Sequence, residues 1–147
     1  MFVVFGSAGH HLGWTSNVLS NLKKETDHVF LHVRNRKEMR LASESLKENS
    51  LIIIVGWGWH ISEKVLSKHK VVGLHPSDLP KFAGGTPMQH QIIAGVSNTK
   101  MSLFELENVY DTGAIINKCD LSLEGGIEDI FLSLTKASTN LILKFLM

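Results

Sequence analysis

The sequence predicts an α/β fold: a Rossmann-like, mostly parallel twisted sheet with helices on both faces. Short continuous apolar runs, Met1 to Phe5 and Leu51 to Val55, have the composition of strands buried on both sides. Segments with helical spacing of apolar residues alternate with such runs, which is the pattern of βαβ units. The length, 147 residues, suits one compact domain and is short for two. No internal repeat, low-complexity tract or linker interrupts it, so a single domain over residues 1–147 is expected.

The elements follow in order. Met1 to Phe5 is the first strand, closed by the turn Gly6-Ser7-Ala8-Gly9. That turn could approach a phosphate but lacks the full GxGxxG pattern, so a plain turn stays open beside it. His10-His11 reads as solvent-facing loop. Thr15 or Ser16 is expected to cap a helix with Val18, Leu19 and Leu22 inside and Lys23 and Lys24 in its last turn. His28 to Val33 alternates as a second strand. Arg34 to Asn49 is a polar helix with Met39, Leu41 and Leu46 expected on its inner side and a solvated charged face. Leu51 to Val55 is the most hydrophobic strand and is placed centrally. Ser62 caps a short helix through Val65 and Leu66, and Val71 to Leu74 returns as a strand. Thr86-Pro87 opens another helix, with Thr86 as cap, and Gly95 ends it. Met101 to Leu106 and Ala114 to Leu121 form a strand pair around a turn at Asn108 to Gly113. After Gly125-Gly126, a final helix places Glu128 and Asp129 in its first turn and Lys144 in its last, with Ile130, Leu134, Leu141 and Phe145 apolar.

Composition narrows the function classes. Hydrophobic residues are 44% and charged residues 20%, which excludes a disordered polyelectrolyte. The formal net charge is +1, and no basic block is longer than Arg34 to Arg40, so nothing here argues for nucleic acid or a membrane surface. The single cysteine, Cys119, excludes an internal disulfide and reads as a packed thiol on a strand. The apolar run at Met1 to Phe5 is too short for a signal peptide, and no run reaches membrane length. A cytoplasmic protein is expected.

Three polar features stand at the ends of apolar strands: Gly56-Trp57-Gly58-Trp59, His75 and Asp111. Glycines let backbone approach a ligand, and indoles offer flat apolar walls. The same rings could equally plug the core beneath a loop. A carboxylate beside a histidine holds the imidazolium, and such a pair can steer protons and stabilise an oxyanion. A histidine before a proline can also be a structural hydrogen-bonder. No HxxxH or cysteine cluster suggests a metal, and none is expected.

His75-Pro76-Ser77-x-Leu79-Pro80, then Gly84-Gly85-Thr86-Pro87, and later Asp111-Thr112-Gly113 resemble the folate-dependent formyltransferase family. The likeness is strongest from Leu51 to Leu121. Its branches act on methionyl-tRNA, on sugar amines or on glycinamide ribonucleotide. The resemblance implies transfer of a formyl group from 10-formyltetrahydrofolate to a primary amine. It implies His75 and Asp111 as catalytic residues, His75 stabilising the oxyanion or the leaving nitrogen and Asp111 orienting it. By position it assigns the folate pocket to Trp57, Trp59, His60, Ile61, Leu79, Glu107, Asn108, Val109 and Tyr110. It assigns the acceptor side to Ser77, Asp78, Gly84, Gly85 and Gln89.

Two departures matter. The family's catalytic asparagine falls two residues before the histidine, where this chain has Gly73. Loss of one such donor costs on the order of a hundredfold in rate. Asn108 and Ser77 are the candidate substitutes; otherwise the chain is slow, altered in activity, or a folate- or nucleotide-binding module without turnover. Asp78 replaces the more usual leucine and either recognises the acceptor or is an exposed loop acid. The absence of a basic surface favours a small amine acceptor, such as an amino-sugar nucleotide, over tRNA. A partner subunit and a homodimer are both left open.

Overall fold

The computed structural model describes residues 1–8, 13–107 and 113–147. In chain order its elements are β1 (Phe2–Gly6), α1 (Trp14–Glu25), β2 (Val29–Val33), α2 (Arg36–Ser45), β3 (Leu51–Ile54), α3 (Glu63–Lys68), β4 (Lys70–His75), α4 (Pro87–Ile93), β5 (Asn98–Glu105), β6 (Ile115–Ser122) and α5 (Ile127–Leu146). The strands form one sheet in the order β2-β1-β3-β4-β5-β6. The first four are mutually parallel, β5 is antiparallel to β4, and β6 is antiparallel to β5. The expected α/β architecture is therefore present. No helix among the described residues is long and apolar enough to cross a membrane.

Strand side chains alternate between two cores, as a period of two requires. Val3, Phe5, Ile53, Val55, Val72 and Leu74 face one side, where α1 and α5 cover them with Val18, Leu22, Leu134 and Leu141. Val4, Ile52 and Val71 face the other, under Met39 and Ala42 of α2 and Val65 of α3. Each fully buried aliphatic side chain of this kind contributes about 1.5–3 kcal/mol. The strand order reverses between β1 and β3, and the loops that follow them touch: the Ala8 N–H donates to the Gly56 carbonyl at 3.3 Å. A switch point at the carboxyl ends of parallel strands is where such sheets leave a crevice.

Three local expectations are corrected. The cap of α1 is Gly13, in a left-handed conformation (φ 79°), and neither Thr15 nor Ser16 caps it: Thr15 is buried, and the Ser16 hydroxyl donates to the Gly13 carbonyl. In α2, Leu41 is exposed, and the buried face is Met39, Ala42 and Ser43; the helix ends at Ser45, so Leu46 is its C-cap. The 3.6-residue period allows 39, 42 and 43 on one stripe but turns 41 away. Thr86 does precede α4, but in a left-handed conformation (φ 51°) with no side-chain capping bond.

Candidate active site

His75 is the last residue of β4, and Pro76, which has no N–H to donate, ends the ladder after it. By register, Gly73 lies opposite Phe104, and His75 lies opposite Ser102. These strand ends floor a cleft of ≈ 810 Å³. Trp57, Trp59, His60 and Ile61, Gly84 to Gln89, and Leu106 and Glu107 line it. His75 is buried and lines this cleft. Its Nε2–H donates to the Phe82 carbonyl at 2.8 Å. Because a carbonyl only accepts, Nε2 carries a proton in this bond.

The Trp loop is both wall and plug. Trp57 and Trp59 pack edge to face, with centroids 5.1 Å apart. Trp57 also packs on the core beneath α2, and a Cβ added to Gly6 would stand 3.3 Å from its ring. Its Nε1–H is buried with no partner among the described residues. Such a donor is costly unless something accepts from it. A second hollow of ≈ 680 Å³ shares this loop and is bounded beyond it by Arg36, Lys37 and Arg40. That part of the charged face of α2 therefore borders a cavity, which helical periodicity alone did not indicate.

The structure separates the sequence-predicted residues into groups. Trp57, Trp59, His60, Ile61, His75, Gly84, Gly85, Gln89 and Glu107 are brought together around the cleft. Ser77, Asp78 and Leu79 do not line it. Ser77 is fully buried and donates to the Lys81 carbonyl at 2.7 Å, so its hydroxyl is not available to replace an oxyanion donor. Asp78 is ion-paired with Lys118 of β6, and this hydrogen bond and charge hold its carboxyl below the usual carboxylate range. Leu79 is buried, and its N–H reaches the Ser102 hydroxyl of β5 at 3.3 Å. Asn108, Val109, Tyr110 and Asp111 lie outside the described residues, as do His10 and His11.

Two glycines are explained by what surrounds them. A Cβ on Gly73 would stand 3.0 Å from Leu106 Cδ1 and 3.1 Å from Ile54 Cγ1, so apolar side chains occupy the space beside it. A Cβ on Gly113 would stand 1.3 Å from the Glu105 carbonyl oxygen, a position no side chain can share. The glycine of Asp111-Thr112-Gly113 thus lets the returning chain press against β5.

The turn after β1 does not offer a phosphate cradle through Ser7 and Ala8. Their N–H groups already donate to Val33 and Gly56, while the Ser7 hydroxyl is buried without a partner among the described residues. Cys119 is half-buried on β6, and burial raises its thiol pKa. Among the described residues, no three His, Cys, Asp or Glu side chains stand together as a metal site would need.

Residues 14–140 match the family described as Formyl transferase. The chain belongs to the formyl transferase family. Among its relatives, a methionyl-tRNA formyltransferase of Mycoplasmopsis pulmonis (strain UAB CTIP) is 30% identical over 131 residues, covering 84% of this chain and 45% of that protein. A methionyl-tRNA formyltransferase structure from Clostridium thermocellum superposes with a TM-score of 0.83 at 25% identity, over 99% of this chain and 64% of that one. The HypX structure from Aquifex aeolicus in complex with tetrahydrofolic acid shares the fold, with a TM-score of 0.82 at 19% identity, over 98% of this chain and 26% of that one. This formyl transferase chain spans less than half the length of the Mycoplasmopsis relative.

Proposed function

We propose that the chain transfers a formyl group from 10-formyltetrahydrofolate to a primary amine, with His75 and Asp111 as the catalytic pair. The observation that carries this is His75 itself: a buried imidazole at the floor of a cleft, walled by two tryptophans, in a formyl transferase domain. The cleft suits a flat heterocycle with an extended arm. Trp59 and Ile61 offer apolar faces, and a Cβ on Gly84 or Gly85 would meet nothing within 4 Å. The folate donor supplies the formyl group. His75 holds or carries the proton needed at the reacting oxygen or nitrogen, and Asp111 orients it and takes up the proton of the attacking amine. Gly84, Gly85 and Gln89 would border the acceptor, with Glu107 and the residues after it at the folate.

For the acceptor, the near-neutral charge of the chain favours a small amine such as an amino-sugar nucleotide. The names of its relatives favour methionyl-tRNA. A second reading, a folate-binding domain without turnover, is favoured by Gly73 and the apolar side chains packed beside it.

The test pairs binding with transfer. Melting of the purified chain with a stable folate analogue at a hundredfold excess over Kd should show about 2.7 kcal/mol of stabilisation. Transfer is then measured with 10-formyltetrahydrofolate and three acceptors: an amino-sugar nucleotide, glycinamide ribonucleotide and methionyl-tRNA. His75→Ala should lower the rate at least about a hundredfold while keeping analogue binding. Binding without transfer to any amine would favour the second reading, and no folate binding at all would overturn both.

A further inference from the structure

The loop between His75 and Phe82 is held from outside by three elements that the motif does not include. From β5, the buried Ser102 hydroxyl donates to the Ser77 carbonyl at 2.7 Å and accepts the Leu79 N–H at 3.3 Å. From β6, Lys118 Nζ donates to the Leu79 carbonyl at 2.8 Å and pairs with Asp78 at 2.5 Å. From α4, Gln91 Nε2, on a side chain 1% exposed, donates to the Pro76 carbonyl at 2.7 Å. Inside the loop, the Lys81 N–H donates to the Asp78 carbonyl and the Ser77 hydroxyl to the Lys81 carbonyl. The loop then reaches Phe82 in a left-handed conformation (φ 54°) that non-glycine residues rarely adopt. At that point the Phe82 carbonyl meets His75 Nε2 at 2.8 Å.

We infer that Ser102 and Lys118 are positioning residues for His75: from the antiparallel strands they set the loop so that the Phe82 carbonyl fixes the imidazole with its proton on Nε2. A backbone carbonyl is a good orienting group only if its own position is fixed. Here an unfavourable backbone angle stands at the carbonyl, so the hydrogen bonds upstream must hold it. Ser102 is suited to this because one hydroxyl serves two backbone groups of the loop, a donor bond on one side and an acceptor bond on the other. Lys118 adds a charge-assisted bond to Asp78, so it tethers the loop through both a side chain and a carbonyl. Without them the carbonyl would drift, and the Nε2–H would lose the acceptor that fixes its direction. The role in catalysis rests on the reading of His75 proposed above, but the effect on the ring does not.

The test therefore reads the ring first. Nitrogen NMR of the full chain with 15N-labelled histidine should show the His75 proton on Nε2. Ser102→Ala and Lys118→Met should each shift the His75 Nε2 signal away from its hydrogen-bonded position, and Ser102→Thr, which keeps the hydroxyl, should restore the wild-type signal. In transfer assays, the same two variants should lose about tenfold in kcat with KM for the folate donor within about twofold, as expected for a group placed less well for the chemical step. Unchanged His75 spectra in both Ser102→Ala and Lys118→Met, with melting temperatures showing that both are folded, would overturn the inference. If the wild-type chain formylates no amine, the functional reading fails, while the spectra still decide the role of the two residues.

Discussion

At Gly73, the position the sequence resemblance matches to a catalytic asparagine, apolar side chains crowd the space a side chain would need. Leu106 and Ile54 fill the space at 3.0 and 3.1 Å from where a Cβ would stand. Restoring the amide alone should therefore crowd the floor: Gly73→Asn should change the transfer rate by less than about threefold, because an overpacked side chain is pushed from its working position. Gly73→Asn with Leu106→Ala and Ile54→Ala should raise it by about tenfold or more, read in the same transfer assay, because both side chains that crowd the donor are then trimmed. Gly113 is a harder constraint. The overlap of an added Cβ with the Glu105 oxygen is with backbone and cannot be relieved by a rotamer. Gly113→Ala should lower the urea midpoint of unfolding and weaken folate-analogue binding together, since the clash moves the chain beside Glu107 that borders the cleft. Both glycines could be read from the sequence as departures or motif members. What stands against them, the Ile54 and Leu106 side chains in one case and the Glu105 carbonyl in the other, comes from other segments of the chain and has no local signature.

At the level of elements, helices with strong ends were legible, and those with unusual ends were not. The α5 helix was anticipated from Gly126, the first-turn acids and Lys144, and Asp129 accepts the Gly126 N–H at 3.0 Å. Asp129→Ala should lower the melting temperature by about 2–4 °C, measured by circular dichroism, since it removes a cap contact and a favourable charge at the positive end of the helix. The start of α1 has no side-chain signature, because Gly13 supplies the turn and no side-chain cap forms. The loop after β4 was recognised by its prolines and histidine, but the assignment of Ser77, Asp78 and Leu79 to ligand contact did not anticipate their bonds to β5, β6 and Lys81. Those bonds depend on two antiparallel strands returning beside β4, and nothing in the spacing of Ser102 or Lys118 announces them.

Across the whole molecule, the sheet order places β2 at the edge beside β1, and His32 of β2 is held there against Phe5. Its Nε2 is buried without a partner among the described residues, and its ring lies edge-on to Phe5 at 5.9 Å. Burial first, and then the charge of Arg34, lower its pKa from 6.5. The unfolded chain thus binds this proton more readily than the folded one. Its contribution to stability is complete above about pH 6.5 and is lost as the pH falls through the lower folded value. The urea midpoint should drop between pH 7.5 and pH 5.5, and His32→Gln should reduce the drop. Equal drops in the two proteins would assign the acid sensitivity elsewhere.

The sequence by itself determined the α/β class, the strand identities, the formyl transferase resemblance and the place of His75 at a strand end. All of these rest on local periodicity, turn chemistry or a short motif. Only the tertiary structure decided which loop residues face the cleft, what fills the space at Gly73, and how His75 is held. Those depend on side chains that meet across β4, β5 and β6. Pairing across strands far apart in the chain is set by register and packing, which no short stretch of sequence carries.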